Sequence, residues 1–140
     1  MKQIRIVQII LLVLCCSVLY AQEEKATTEQ KHEMEKTSVK ELTTFHELLH
    51  PLVHEAYPAK DYGTIRKAIP DLIKSAAKIR TAKLPKEMKD KKKEFAGESK
   101  KLLKELKALD KKQNKLSDEQ FAEQFMDMHD TFEKLMEITR

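Results

Sequence analysis

The sequence predicts an all-α protein built around an antiparallel up-down-up-down four-helix bundle. The chain has 140 residues with only 2 Gly and 4 Pro, and 36% of its residues are charged. Glycine and proline separate the short strands of β proteins, so their scarcity favours long helices joined by few turns. Apolar residues recur at three- and four-residue steps in four successive stretches, which is typical of amphipathic helices. Such helices bury their apolar faces most simply against one another.

Residues 1–21 have the features of a secretory signal peptide. Lys2 and Arg5 precede an apolar run that ends shortly before Ala21, where polar residues begin. The run is shorter than the roughly 20 apolar residues that span a bilayer, so we expect cleavage of the leader rather than a membrane anchor. The protein is therefore expected to be periplasmic or secreted. An exported chain of low net charge is not expected to bind nucleic acid, or a membrane once the leader is removed.

Both cysteines of the chain, Cys15 and Cys16, lie within this leader. Acylation of either one is an alternative to simple cleavage, but Leu14 stands where lipoproteins carry a small residue. Cleavage leaves a mature chain without a thiol, which excludes disulfides and thiolate metal ligands. It also excludes the Cys-x-x-Cys-His motif that attaches c-type haem.

The mature chain divides into a flexible linker, residues 22–37, and the bundle, residues 38–140. The linker is polar without an apolar period, and its His32 is expected to be exposed. Ser38 and Ser117 have the spacing of capping boxes, and Asp61 offers a helix N-cap. The four predicted helices cover residues 39–57, 62–83, 86–114 and 117–138.

Lysines on the third helix have two interpretations. In the sequence they are interleaved with acidic residues, which favours a solvated face over a site for anionic lipids. The core of the last helix is expected to contain Phe121, Phe125, Met128, Phe132, Leu135 and Met136.

Histidines carry the strongest functional signal in the chain. His46, His50 and His54 recur at four-residue steps in the first helix, and His129 lies in the last. At about 100° per residue the first three follow one helix edge, with His46 in the buried stripe and His54 near its rim. If these two helices are antiparallel, a residue of the first helix and the residue that faces it on the last helix have numbers that add up to ~177. His129 then lies opposite the interval between His46 and His50, with Glu133 one turn away.

These residues form a candidate metal site because imidazole is the common nitrogen ligand of zinc and copper, and histidines four residues apart on a helix project to one side. The predicted inner ligands are His46, His50 and His129, with His54 and Glu133 as additional or outer ligands. The alternative is that His50 and His54 are surface residues and that the other two are hydrogen-bonded core histidines.

The segment from His46 to His50 also matches the zinc metalloprotease signature, in which Glu47 would act as general base. We expect no enzymatic activity, because the chain lacks a second lobe to form a substrate cleft. Pro51 follows the second histidine and removes the amide that would bond to the Glu47 carbonyl. The first helix is therefore predicted to bend or widen beside the candidate ligands.

The organisation from about Ser38 to Thr139 resembles the superfamily of cytochrome c-prime and the soluble periplasmic cytochromes b, which are exported four-helix bundles. In the cytochrome b members a methionine of the first helix and a histidine of the last bind haem, and His46 and His129 occupy comparable regions here. The segment from His46 to Pro58 looks like that of bacterial members that lack the haem-attachment motif.

Three hypotheses follow for the function. The first is a non-enzymatic bundle that binds a zinc or copper ion through the histidine cluster. The second is an electron-transfer protein with non-covalent haem b, in which His46 or His50 and His129 bind the iron. The third is a metal-free structural or interaction bundle.

Overall fold

The computed structural model describes residues 37–140. The predicted leader and residues 22–36 of the predicted linker, including His32, lie outside this range. The described residues form helices joined by short connections and contain no strand, so the predicted all-α class is confirmed. The helices are α1 (Lys40–Pro51), α2 (Tyr62–Thr81), α3 (Lys92–Lys112) and α4 (Asp118–Ile138); a π-helical turn (Leu52–Ala56) extends α1, and a 3₁₀ turn (Lys86–Met88) precedes α3.

The four helices pack against one another around one apolar core. α1 contacts α2, α2 contacts α3, and α3 contacts α4. α1 meets α4 through Phe45 and Phe132, whose ring centroids are 4.9 Å apart. No helix within residues 37–140 is both long and apolar enough to cross a bilayer.

The core forms because each helix carries an apolar stripe that water would otherwise contact. All six residues predicted for the core of α4 are buried. Each large apolar side chain that is removed from water contributes about 1.5 to 3 kcal/mol to folding. The largest fully buried side chains are Phe45, Phe121, Phe125 and Phe132.

Two of the three predicted helix caps are present. The Asp61 side chain accepts a hydrogen bond from the Thr64 amide at 3.0 Å. Ser117 and Gln120 form a complete capping box at the start of α4. The cap predicted at Ser38 was wrong, because Val39 is the N-cap residue of α1 and no side chain caps it.

Thr37 explains why Ser38 is not used. Its hydroxyl accepts a hydrogen bond from the Val39 amide at 3.2 Å and donates one to the Thr139 hydroxyl at 2.8 Å. The chain thus approaches α1 tied to the end of α4, which leaves Ser38 exposed.

The start of α3 also differs from its prediction. The sequence pattern placed it at Lys86, but residues Lys86–Met88 form a 3₁₀ turn and the α-helix begins at Lys92. Lys91 precedes α3 without a side-chain cap. Since the 3₁₀ turn also lacks a side-chain cap, capping does not distinguish the two starts, and the 3₁₀ turn is of the kind that commonly precedes an α-helix.

Arg66 of α2 fixes the connection between α3 and α4. Its guanidinium donates to the Gln113 carbonyl, pairs with Asp118 at 3.0 Å and lies 4.0 Å from the centroid of the Phe121 ring. A planar cation that satisfies a loop carbonyl and a helix-terminal carboxylate at once holds the start of α4 against α2.

The contrast between the two serines is testable. Ser117→Ala should lower the free energy of unfolding by about 1 kcal/mol, because the first amides of α4 lose their acceptor. Ser38→Ala should change it by less than about 0.5 kcal/mol, because the exposed Ser38 hydroxyl donates only a weak hydrogen bond, to the Met88 sulfur at 3.9 Å. Urea unfolding of both variants measures the difference, and an equal loss in the two would contradict the described start of α1.

Candidate functional site

The backbone beside the histidines departs from a regular α-helix, as Pro51 predicts. Pro51 ends the regular part of α1, and the π-helical turn Leu52–Ala56 follows directly. Within it the Tyr57 amide donates to the Leu52 carbonyl at 2.9 Å, five residues back. A proline without an amide hydrogen cannot make the regular bond, so the helix widens at this point.

His46, His50 and His54 form a ladder of neighbouring rings along α1 and its π-helical turn. The ring centroids of His46 and His50 are 5.7 Å apart, and those of His50 and His54 are 4.4 Å apart. Four-residue spacing on a regular α-helix makes successive side chains drift sideways by about 40°. The π-helical turn holds an extra residue, which offsets this sideways drift. The His54 ring therefore lies closer to the His50 ring than the His46 ring does.

His46 occupies the partly buried end of this histidine ladder. Its ring centroid is 5.8 Å from that of Phe132 in α4. Burial is the main cause that lowers the pKa of His46 below its ordinary value, and the positive charge that His50 can carry lowers it further. Glu133 opposes this shift and His129 adds to it. The electrostatic environment of His46 therefore includes both predicted α4 residues.

His129 and Glu133 lie one turn apart on α4 and face each other. The His129 Nε2 atom is 3.6 Å from a carboxylate oxygen of Glu133, and the His129 side chain is 20% exposed. The His129 Nδ1 atom is buried and has no hydrogen-bond partner among the described residues. A buried ring nitrogen without a partner is costly, and a metal ion is one way to satisfy it.

The structure places the three α1 histidines in succession and couples His46 electrostatically to His129 and Glu133. No group of three His, Cys, Asp or Glu side chains within residues 37–140 is arranged to hold a metal ion. His46, His50 and His129 are partly buried, whereas His54 is exposed. The donors present are imidazole nitrogens and a carboxylate, a set that suits zinc or copper(II).

Two neighbours of the site were not foreseen. The Asp130 carboxylate lies 3.8 Å from the His129 Nδ1 atom, although adjacent residues on a helix do not normally face each other. Phe132 covers one side of His46. The apolar period already placed Phe132 in the core, so its contact with His46 follows from the two helix faces, whereas nothing in the sequence marks Asp130.

Comparison of the chain with protein-family models, with curated proteins and with solved structures found no match.

The pKa of His46 predicts a pH dependence of stability. Because the folded state lowers this pKa, the unfolded chain takes up the proton at higher pH, so the free energy of unfolding should fall as pH drops through about 6.5. His46→Gln should flatten this fall without changing the slope above pH ~8. Urea unfolding of metal-free protein across this range tests it, with His32→Gln as the control. If the free energy of unfolding of His46→Gln fell with pH as steeply as that of the wild-type protein, His46 would not be the cause of the pH dependence.

Proposed function

We propose that the bundle is an exported, non-enzymatic protein that binds a zinc or copper ion through the histidine ladder of α1 and the His129–Glu133 pair of α4. The observation that carries this proposal is the close succession of three imidazole rings on α1, the innermost of which is electrostatically coupled to both α4 residues. His46, His50 and His129 are the inner ligands, and His54 and Glu133 supplement them.

Ring spacing supports chelation by neighbouring rungs of the ladder. Two imidazoles that bind one ion through nitrogens about 2.1 Å away have ring centroids roughly 4.5 to 5.3 Å apart at ordinary coordination angles. The two observed spacings, 4.4 Å and 5.7 Å, bracket that interval. The ring separations are therefore compatible with chelation by either pair.

Protonation also supports the proposal. Metal binding requires neutral imidazole. The lowered pKa of His46 keeps its ring neutral at neutral pH. The Nδ1 atom of His129, which lies 3.8 Å from the Asp130 carboxylate but makes no hydrogen bond within the described residues, is a second nitrogen for which coordination would supply a missing bond.

Packing favours a metal ion over haem b. A haem needs an open apolar slot between helices, and the side chains that could line one are Phe45, Phe121, Phe125 and Phe132. All four are fully buried. Phe45 packs on Phe132 with ring centroids 4.9 Å apart, and Phe121 stacks on Phe125 at 6.4 Å. These rings fill the interior that a macrocycle would have to occupy.

The proposed topology is the antiparallel up-down-up-down bundle. Contacts between α1 and α4 support it, because residues in ascending order along the start of the chain meet residues in descending order along its end. Thr37 contacts Thr139, Phe45 contacts Phe132, and Tyr57 stacks on Phe125. This arrangement agrees with the fold that the resemblance to the cytochrome c-prime superfamily implies, and membership of that superfamily stays a prediction.

Metal titration with single histidine variants tests the function. Zinc or copper(II) should raise the melting temperature of the wild-type protein, because the ion binds the folded state. His50→Ala should weaken binding most among the variants of α1, by at least about tenfold, because His50 neighbours both other rungs. His129→Ala should weaken it comparably. Calorimetric titration measures these affinities.

The control is His32→Ala, a change in the predicted linker, and this variant should retain wild-type affinity. Equal affinities of His32→Ala, His50→Ala and His129→Ala would refute the proposed site. A visible absorption band of haem in the purified protein would favour the cytochrome hypothesis. Absence of any stabilisation by either metal would leave the scaffold hypothesis.

A further inference from the structure

A groove of about 460 Å³ runs between the end of α2 and the outer face of α3. Leu103 and Ala108 contribute to its floor. Every charged residue that lines it is a cation: Arg80, Lys100, Lys104, Lys107, Lys111 and Lys112.

A second groove, of about 470 Å³, adjoins the first and shares Arg80 with it. It follows the connection between α2 and α3, where Leu84, Met88 and Phe95 supply apolar surface. Its remaining charged residues are again all cations: Lys83, Lys86, Lys89 and Lys92. The linings of the two grooves together contain ten cations and no carboxylate, and we call these ten cations and the surface they line the basic face.

Acidic residues of α3 lie elsewhere on the helix, although in the sequence they alternate with the lysines. At about 100° per residue, Lys100, Lys104, Lys107 and Lys111 fall within about 60° of one another, whereas Glu94, Glu98 and Glu105 centre about 130° away and Asp110 lies about 90° away on the other side. Lys101, which points toward the acidic side, pairs with Glu105 at 3.6 Å.

The ten cations of the basic face are not neutralised locally. None takes part in an ion pair with another residue of the described range. α4 carries the opposite charge, with seven acidic residues against the single Lys134. The bundle is therefore electrically polarised, and a negatively charged surface would attract and orient it.

We propose that the basic face binds the surface of an anionic lipid bilayer. The ten cations come from α2, the connection and α3, so phosphate head groups of one bilayer can engage cations of all three segments at once, whereas a linear polyanion would follow only one row. Lysine side chains suit this role because their methylene stems lie along apolar surface while the ammonium groups reach the head groups.

Binding at this face is superficial. The one large hydrophobic side chain exposed within residues 37–140 is Leu48, which belongs to α1 and not to the basic face. The protein has no apolar wedge on this side to insert among acyl chains, so its affinity should depend on salt and on lipid charge. The histidine ladder lies where α1 meets α4, away from the basic face, so neither proposal depends on the other.

Vesicle sedimentation with the full chain tests the proposal. Wild-type protein should bind vesicles of equal parts phosphatidylglycerol and phosphatidylcholine, bind pure phosphatidylcholine weakly, and dissociate as salt increases. The triple variant Lys100→Gln, Lys104→Gln, Lys107→Gln should bind the anionic vesicles about 100-fold more weakly, at about fivefold per lysine.

The matched control removes the same charge from exposed lysines outside the grooves: Lys40→Gln, Lys60→Gln and Lys67→Gln. Its binding should change by no more than about threefold, since screening confines the effect of distant charges. Equal losses in both triple variants, or equal binding to neutral vesicles, would overturn the proposal. Tighter binding to soluble polyphosphate than to anionic vesicles would also overturn it and identify a polyanion site. Circular dichroism establishes that both variants are folded.

Discussion

The aromatic contact between Phe45 of α1 and Phe132 of α4 joins the first and last helices of the bundle. Its ring centroids are 4.9 Å apart, and both side chains are fully buried. Truncating either would leave a cavity that costs about 3 to 5 kcal/mol. His46 follows Phe45 directly and lies against the same Phe132 ring. The same contact therefore contributes both to stability and to the placement of His46, and His46 cannot move relative to α4 without disturbing the core.

Features that depend on short stretches of chain are predictable from the sequence, as the two confirmed caps and the core of α4 illustrate. Asp61 and Ser117 act within three residues of themselves, so local spacing suffices to identify them. The cap at Ser38 failed because Thr37 is held by Thr139, which lies 102 residues away in the chain. No local pattern contains that information.

In the candidate site, too, local spacing predicted some features and could not predict others. Four-residue spacing predicted that the histidines share one side of α1, and Pro51 predicted a widened backbone. Neither gave the size of the rotation that brings His54 near His50. The separation of charge on α3 was also hidden, because residues that alternate along the chain fall on different sides of the helix. Side-chain conformation at His129 and Asp130 lies beyond any periodic argument.

The π-helical turn after Pro51 also decides where the chain leaves α1. In a regular helix Tyr57 would lie about 120° around the axis from Phe45, away from the core stripe. One extra residue in the turn rotates it back by about 100°. Tyr57 consequently stacks on Phe125 and meets the ring of Tyr62 at the start of α2. The widened turn thus sets the rotation of the residues that follow it about the helix axis. Deleting one residue from the turn would point Tyr57 away from the core and change the direction in which the chain enters α2.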